Sequence, residues 1–153
     1  MKLTTKTQYG MRAIVDLAQR YRKGPVSVSG ISEREGIPTS YLEQLLNRLK
    51  KGGIVKSFRG PRGGYVLAKD PSKIRVYNIV QVLEGNLAPV SCVDSRKKFK
   101  CERIEKCITK PLWQKLNKSI EGVLKSVTVK DLYAKDGSFQ KEKALNHKFT
   151  YSI

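Results

Sequence analysis

Three cysteines carry the most reactive chemistry in this chain. Cys92, Cys101 and Cys107 stand at a C-x8-C-x5-C spacing, in a loop that also holds Arg96, Lys97, Lys98, Lys100, Arg103 and Lys106. Nearby cations favour the thiolate, the form that binds metal. Structural zinc sites use paired C-x2-4-C knuckles, and this loop has none. An irregular loop of thiolates more readily seats an iron–sulfur cluster, and three cysteines then leave one ligand to find. The plain alternative is three reduced thiols that simply pack.

A second group of residues has the chemistry of base reading. Ser40, Glu43 and Gln44 lie on the polar side of a run in which Leu42, Leu45, Leu46 and Leu49 repeat at i, i+3, i+4 and i+7. Gln44 can pair with adenine N6 and N7, and Ser40 can donate to or accept from a purine. Glu43 has two readings. As a base reader it accepts from cytosine N4 and is repelled by phosphates, so it discriminates rather than attracts. As a structural residue it closes a capping box with Ser40. Pro38 favours the first role, because a proline in first helical position puts Ser40 inside the helix. Arg59 and Arg62 flank Gly60-Pro61 and suit either minor-groove insertion or phosphate contact. Lys6, Arg12, Arg48, Lys50 and Lys51 face phosphates or solvent.

These groups need elements to hold them. The leucine stripe predicts a helix over 39–51, ended by Gly52-Gly53. A strand over 54–59, a glycine-rich tip and a strand over 65–68 follow, which is a basic hairpin. Upstream, Met11, Ile14, Val15, Ala18 and Tyr21 mark a helix over 5–21, capped by Thr4 or Thr5 and stopped at Gly24-Pro25. A β-like Val26-Ser27-Val28 precedes a short helix over 29–35, and Ile37-Pro38-Thr39 makes a tight turn. Two helices on so short a turn, then a hairpin, predict a winged helix-turn-helix whose second helix enters the major groove. Val76, Ile79, Val80 and Leu83 mark a further helix up to Gly85. From Pro111 a long helix carries Leu112, Leu116, Ile120, Val123 and Val127 at steps of three or four. That stripe either folds back on its own domain or, as readers of this shape usually work in pairs, meets the same helix of a second chain. Thr128 to Asp131 fits a capping box opening a last short helix.

The expected fold class is mainly α with a small β wing. It divides into a DNA-binding domain (1–85), a cysteine-bearing loop (86–110), a dimerisation helix with a short terminal helix (111–135), and a polar tail (136–153). The 153 residues carry a formal charge of +18, which favours a polyanionic partner. About 16 basic against 6 acidic side chains fall in residues 1–85, and about 11 against 4 in 92–130, so the cysteine loop shares the basic surface. No run approaches the ~18 apolar residues of a membrane span, and the N-terminus lacks a secretory h-region. A cytoplasmic protein with reduced thiols is expected. One histidine, His147, and no nucleophile motif argue against an enzyme.

The run YLEQLLNRLKKGGIVKSFRGPRGGYVLAKDP, with MKLTTKTQYGMRA before it and the three cysteines after it, strongly resembles the Rrf2 family of bacterial winged-helix regulators. The likeness spans roughly residues 1–135 and is nearest to IscR-type members, which repress or activate iron–sulfur assembly genes according to cluster occupancy. It implies double-stranded operator DNA as ligand and a homodimer joined through the helix from Pro111. It also implies a cluster, [2Fe–2S] by preference, on Cys92, Cys101 and Cys107. Ser40, Glu43 and Gln44 match base-reading positions and Arg59 the wing arginine. One position departs: IscR-type members carry a histidine three residues after the last cysteine, where this chain has Lys110. A lysine ligates iron only after losing its proton. Asp94, Glu102, Glu105, a group from the partner chain or a small thiol remain for the fourth place. Nitric-oxide-sensing relatives hold [4Fe–4S] on three cysteines, and cysteine-metabolism relatives bind no cluster and take a protein partner.

Overall fold

The computed structural model describes residues 2–96 and 99–134. The polar tail expected over 136–153, with His147, lies outside the described residues, as do Lys97 and Lys98. The described residues form six α-helices, two short 3-10 turns and one two-stranded antiparallel sheet.

Helix α1 spans Thr5–Gln19, and the Thr4 side chain accepts from the Lys6 amide at its start. It ends two residues before the expected Tyr21. Arg22 turns left-handed (φ 66°) and Gly24 follows at φ 94° before Pro25. The buried face comprises Ala13, Ile14, Leu17 and Ala18 and also takes in Asp16. It is therefore rotated from the stripe read in the sequence, leaving Val15 only half buried. Helix α2 spans Val28–Glu35, capped by the Ser27 hydroxyl on the Gly30 amide and closed by Gly36 in the left-handed conformation. The Val26 strand-like pairing is real but is one bridge, to Tyr65.

Helix α3 spans Thr39–Lys51 and buries Leu42, Leu45, Leu46 and Leu49 almost completely, as their spacing requires. Each such leucine removed from water contributes on the order of 2 kcal/mol before cavity costs. Pro38 is the residue just before the helix rather than its first member, and α3 begins with no side-chain cap. The left-handed exit is taken by Gly53 (φ 70°) and not by Gly52. Gly52 has a different reason to lack a side chain: a Cβ there would collide with Val82.

Strands β1 (Val55–Phe58) and β2 (Gly64–Leu67) pair from Val55 opposite Leu67 to Phe58 opposite Gly64. The tip between them is Arg59-Gly60-Pro61-Arg62-Gly63, closed by the Gly63 amide on the Gly60 carbonyl at 2.9 Å. Helix α4 (Val76–Glu84) buries Val76, Ile79, Val80 and Leu83. It packs on α1 and α3, and Leu83 joins the main core.

After the cysteine loop comes the 17-residue helix α5 (Lys110–Ser126), then α6 (Val129–Tyr133), opened by a complete Thr128–Asp131 capping box. Val129 is fully buried in the core that α1 and α3 build, and the Val129 amide donates to the Ile74 carbonyl at 2.9 Å. Helix α5 packs on α4 through Leu124, with Val127 buried just beyond its end. Val127 thus leaves the expected stripe. Leu112, Leu116 and Val123 remain 57 %, 40 % and 48 % exposed.

Candidate nucleic-acid interface

The helix-turn-helix is held rigid by polar groups that its sequence separates widely. Asp16 on α1 takes two hydrogen bonds from Arg34 on α2. At the turn, the Ser32 hydroxyl donates to the Ile37 carbonyl at 2.6 Å and sits 3.0 Å from the Thr39 hydroxyl. Arg12, expected to face phosphate or solvent, instead donates to the Glu35 carboxylate at 3.0 Å and to the Glu35 carbonyl, and its guanidinium lies 5.6 Å from the Tyr9 ring. Lys6 points its ammonium at Glu84, 3.7 Å away. These two cations are occupied within the fold.

The polar face of α3 is open by contrast. Ser40, Glu43, Gln44 and Asn47 are all exposed. Because α3 starts after Pro38, Ser40 lies within its first turn and forms no capping box with Glu43. The expectation that Glu43 is left free of the backbone therefore stands. Arg59 and Arg62 are exposed at the wing tip, and neither makes a hydrogen bond or ion pair among the described residues. A groove between α3 and the wing is lined by Glu43, Asn47, Ser57, Arg59 and Tyr65. Tyr65 is held there at both backbone groups, its amide on the Val26 carbonyl at 2.8 Å and its carbonyl on the Val26 amide at 2.9 Å. Its phenol donates to Asn47 Oδ1 at 3.4 Å. Burial first, and then the Glu43 charge, push that phenol's pKa above its ordinary value, so it stays a donor. The sequence places Asn47 on the polar face of this helix with Ser40 and Gln44, but not Tyr65 beside it, since their contact joins two elements that pattern reading treats separately.

The cysteine loop has a different character. Cys92 lies on a short 3-10 turn (Ser91–Val93) and is half buried, Cys101 is exposed, and Cys107 is half buried just before α5. All three thiols are free. Cys107 Sγ lies 3.3 Å from the Thr109 hydroxyl. That hydroxyl, the Thr109 and Lys110 amides and the Lys110 charge hold the thiol below its ordinary pKa. Among the described residues, no three His, Cys, Asp or Glu side chains come together as a metal-holding group. The donors thus fit an iron–sulfur cluster by type and by charge environment, while in this single chain they stand apart. Of the fourth-place candidates, Glu102 and Glu105 are exposed. Asp94 is buried, with Oδ1 taking the Arg96 amide at 3.0 Å. No helix among the described residues is long and apolar enough to cross a membrane.

Residues 3–135 match the Rrf2 family, described as an iron-dependent transcriptional regulator. The HTH-type transcriptional regulator IscR of Serratia proteamaculans is 41 % identical over 132 residues, covering 86 % of this chain and 79 % of that protein. Among solved structures, CymR, the global cysteine regulator of B. subtilis, superposes with a TM-score of 0.71 at 36 % identity, covering 86 % of this chain and 95 % of the other. IscR of T. potens gives 0.67 at 38 % identity, over 99 % and 94 %.

Proposed function

The chain belongs to the Rrf2 family of transcriptional regulators, and from that premise we propose that it acts as a dimeric, sequence-specific DNA-binding regulator governed by an iron–sulfur cluster. The observation that carries the DNA-binding part is the open face of α3 beside a wing tip whose two arginines have no hydrogen-bond or ion-pair partner among the described residues. Ser40, Glu43 and Gln44 read base edges, and Arg59 and Arg62 contact phosphates or the minor groove. The exposed apolar row Leu112, Leu116 and Val123 joins two copies, which sets two reading helices against two half-sites.

Cys92, Cys101 and Cys107 are the residues that would hold the cluster, [2Fe–2S] by preference and [4Fe–4S] as the alternative. When bound, such a group supplies sensitivity to iron supply and oxidants. Thr109 and then Lys110, whose amide donates to the Cys107 carbonyl at 3.3 Å, lower the pKa of the Cys107 thiol from the start of α5. Because α5 starts at this loop and also carries the apolar row, rearrangement of the loop is felt at the dimer contact. By this reading the genes controlled are those of iron–sulfur assembly.

A second reading rests on the separated thiols and on Lys110 in the histidine position: a cluster-free regulator of cysteine metabolism that works through a protein partner. Purification without oxygen, with visible absorbance and iron and sulfide counts, decides between them. A coloured protein with two irons and two sulfides per chain supports the first. A colourless protein with three titratable thiols after reconstitution overturns it and leaves the second.

A further inference from the structure

Asn47 lies one turn beyond Glu43 and Gln44 on the open face of α3, exposed, and on the side nearest the wing. An asparagine side chain in a major groove ordinarily uses both ends, donating to adenine N7 and accepting from adenine N6. Here the oxygen already has a partner on the wing side, which occupies one of its two lone pairs and turns it towards β2. The Tyr65 phenol donates to Asn47 Oδ1, and Tyr65 is itself pinned by its pair of backbone bonds to Val26. The amide nitrogen, with two N–H donors, makes no hydrogen bond among the described residues. We infer that Asn47 is a further specificity-determining residue, oriented by Tyr65 so that its amide nitrogen leads and favours an acceptor-rich base edge, guanine O6 and N7 or thymine O4, over the bidentate adenine contact.

The inference rests on the DNA-reading role proposed above and adds a position and a base class to it. Tyr65 acts through Asn47 and is a positioning residue. It transmits the wing's placement to the reading helix, because β2 carries its ring and α3 carries the amide. A wing drawn towards DNA by Arg59 and Arg62 therefore also fixes which way Asn47 faces. Burial of the ring, and then the charge of Glu43 in the same groove, oppose release of the phenol proton and so preserve the donor.

The test is selection from a randomised duplex library with the full-length protein, comparing wild type with Asn47→Ala and Tyr65→Phe. Wild type is expected to enrich guanine or thymine at one base pair per half-site. Asn47→Ala should relax that position by roughly 5- to 150-fold in relative affinity, and leave the positions read by Ser40, Glu43 and Gln44 intact. Tyr65→Phe keeps the ring and frees Oδ1, so the same position should shift towards adenine. A clear wild-type motif that neither variant changes would overturn the assignment of Asn47 alone. Relaxation in Asn47→Ala without a shift in Tyr65→Phe would overturn the orienting role of Tyr65. A wild type that enriches no sequence removes the base-reading premise itself.

Discussion

The guanidinium of Arg34 meets the carboxylate of Asp16 edge to edge, Nε donating to Oδ1 and Nη2 to Oδ2, each at 2.8 Å. Arg20 adds a third bond to Oδ1 at 2.7 Å, and Asp16 is only 2 % exposed. A fork-to-fork pair of this kind fixes angle as well as distance. It orients α2 on α1, and through the tight turn it orients α3. The aim of α3 thus depends on a carboxylate more than 20 residues upstream of it.

Removing that carboxylate should be costly. Breaking a buried pair typically loses ~3–5 kcal/mol. Both arginines can rehydrate here, since their side chains are 36 % and 32 % exposed, so we expect Asp16→Ala to lose about 2–3 kcal/mol. Urea unfolding measures it. A loss under about 0.5 kcal/mol would reduce the pair to an ordinary surface contact.

Glu84 gives the fold a pH dependence. Burial by itself would raise its pKa. Hydrogen bonds from the Thr4 hydroxyl, the Thr7 hydroxyl and the Thr4 amide, with Lys6 nearby, outweigh that and lower it to about 2. Its folded pKa lies below its unfolded value of 4.5. Its stabilisation is therefore complete above that value and is lost as pH falls towards about 2. At one pKa unit per ~1.4 kcal/mol this is on the order of 3 kcal/mol at neutral pH. Glu84→Gln should lose most of that at neutral pH and very little in strong acid. Unfolding midpoints across the acid range check it: equal pH slopes in both proteins would assign the acid sensitivity to other carboxylates.

Base readers and phosphate contacts should separate in binding experiments. Gln44→Ala is expected to cost roughly 1–3 kcal/mol on the cognate site and to relax preference at one base pair. Glu43→Ala should broaden the set of bound sequences, because a repulsive discriminator is gone. Arg59→Ala should weaken all sequences alike and lower the salt slope by about 0.9. Titrations of cognate and scrambled duplexes at several salt concentrations measure all three, and a uniform loss from Gln44→Ala would make it a backbone contact.

Placing a charge in the apolar row of α5 should separate the copies. Leu116 is 40 % exposed in the single chain, so Leu116→Glu has little to disturb there. Sedimentation should show a dimer turning monomeric, with unchanged helix content by circular dichroism. A Leu116→Glu protein that stays dimeric would move the contact elsewhere.

Much of the fold was readable because short-range pattern and long-range packing agree. The stripes of α3 and α4 are the buried faces observed, and the hairpin register follows from its glycine-rich tip. In α1 they disagree. Asp16 breaks the apolar pattern, yet it is buried because Arg20, one turn along, and Arg34, from α2, neutralise it. Periodicity counts such a residue as solvent-facing. Helix α5 shows the converse, with an apolar row that pattern reading finds and that the single chain does not cover.

What sequence alone determined was which segments are helix or strand, the polar face of α3, the basic wing tip and the presence of three cysteines in a cationic loop. Each depends on neighbours within one or two turns or on composition. Tertiary structure decided that Arg12 and Lys6 are occupied within the fold, that Glu84 caps α1 from the far end of α4, and that Tyr65 holds Asn47. These are pairings between groups 18 to 80 residues apart. A hydrogen bond or ion pair needs two particular atoms within about 3–4 Å, and only the folded path of the chain specifies which distant atoms arrive there.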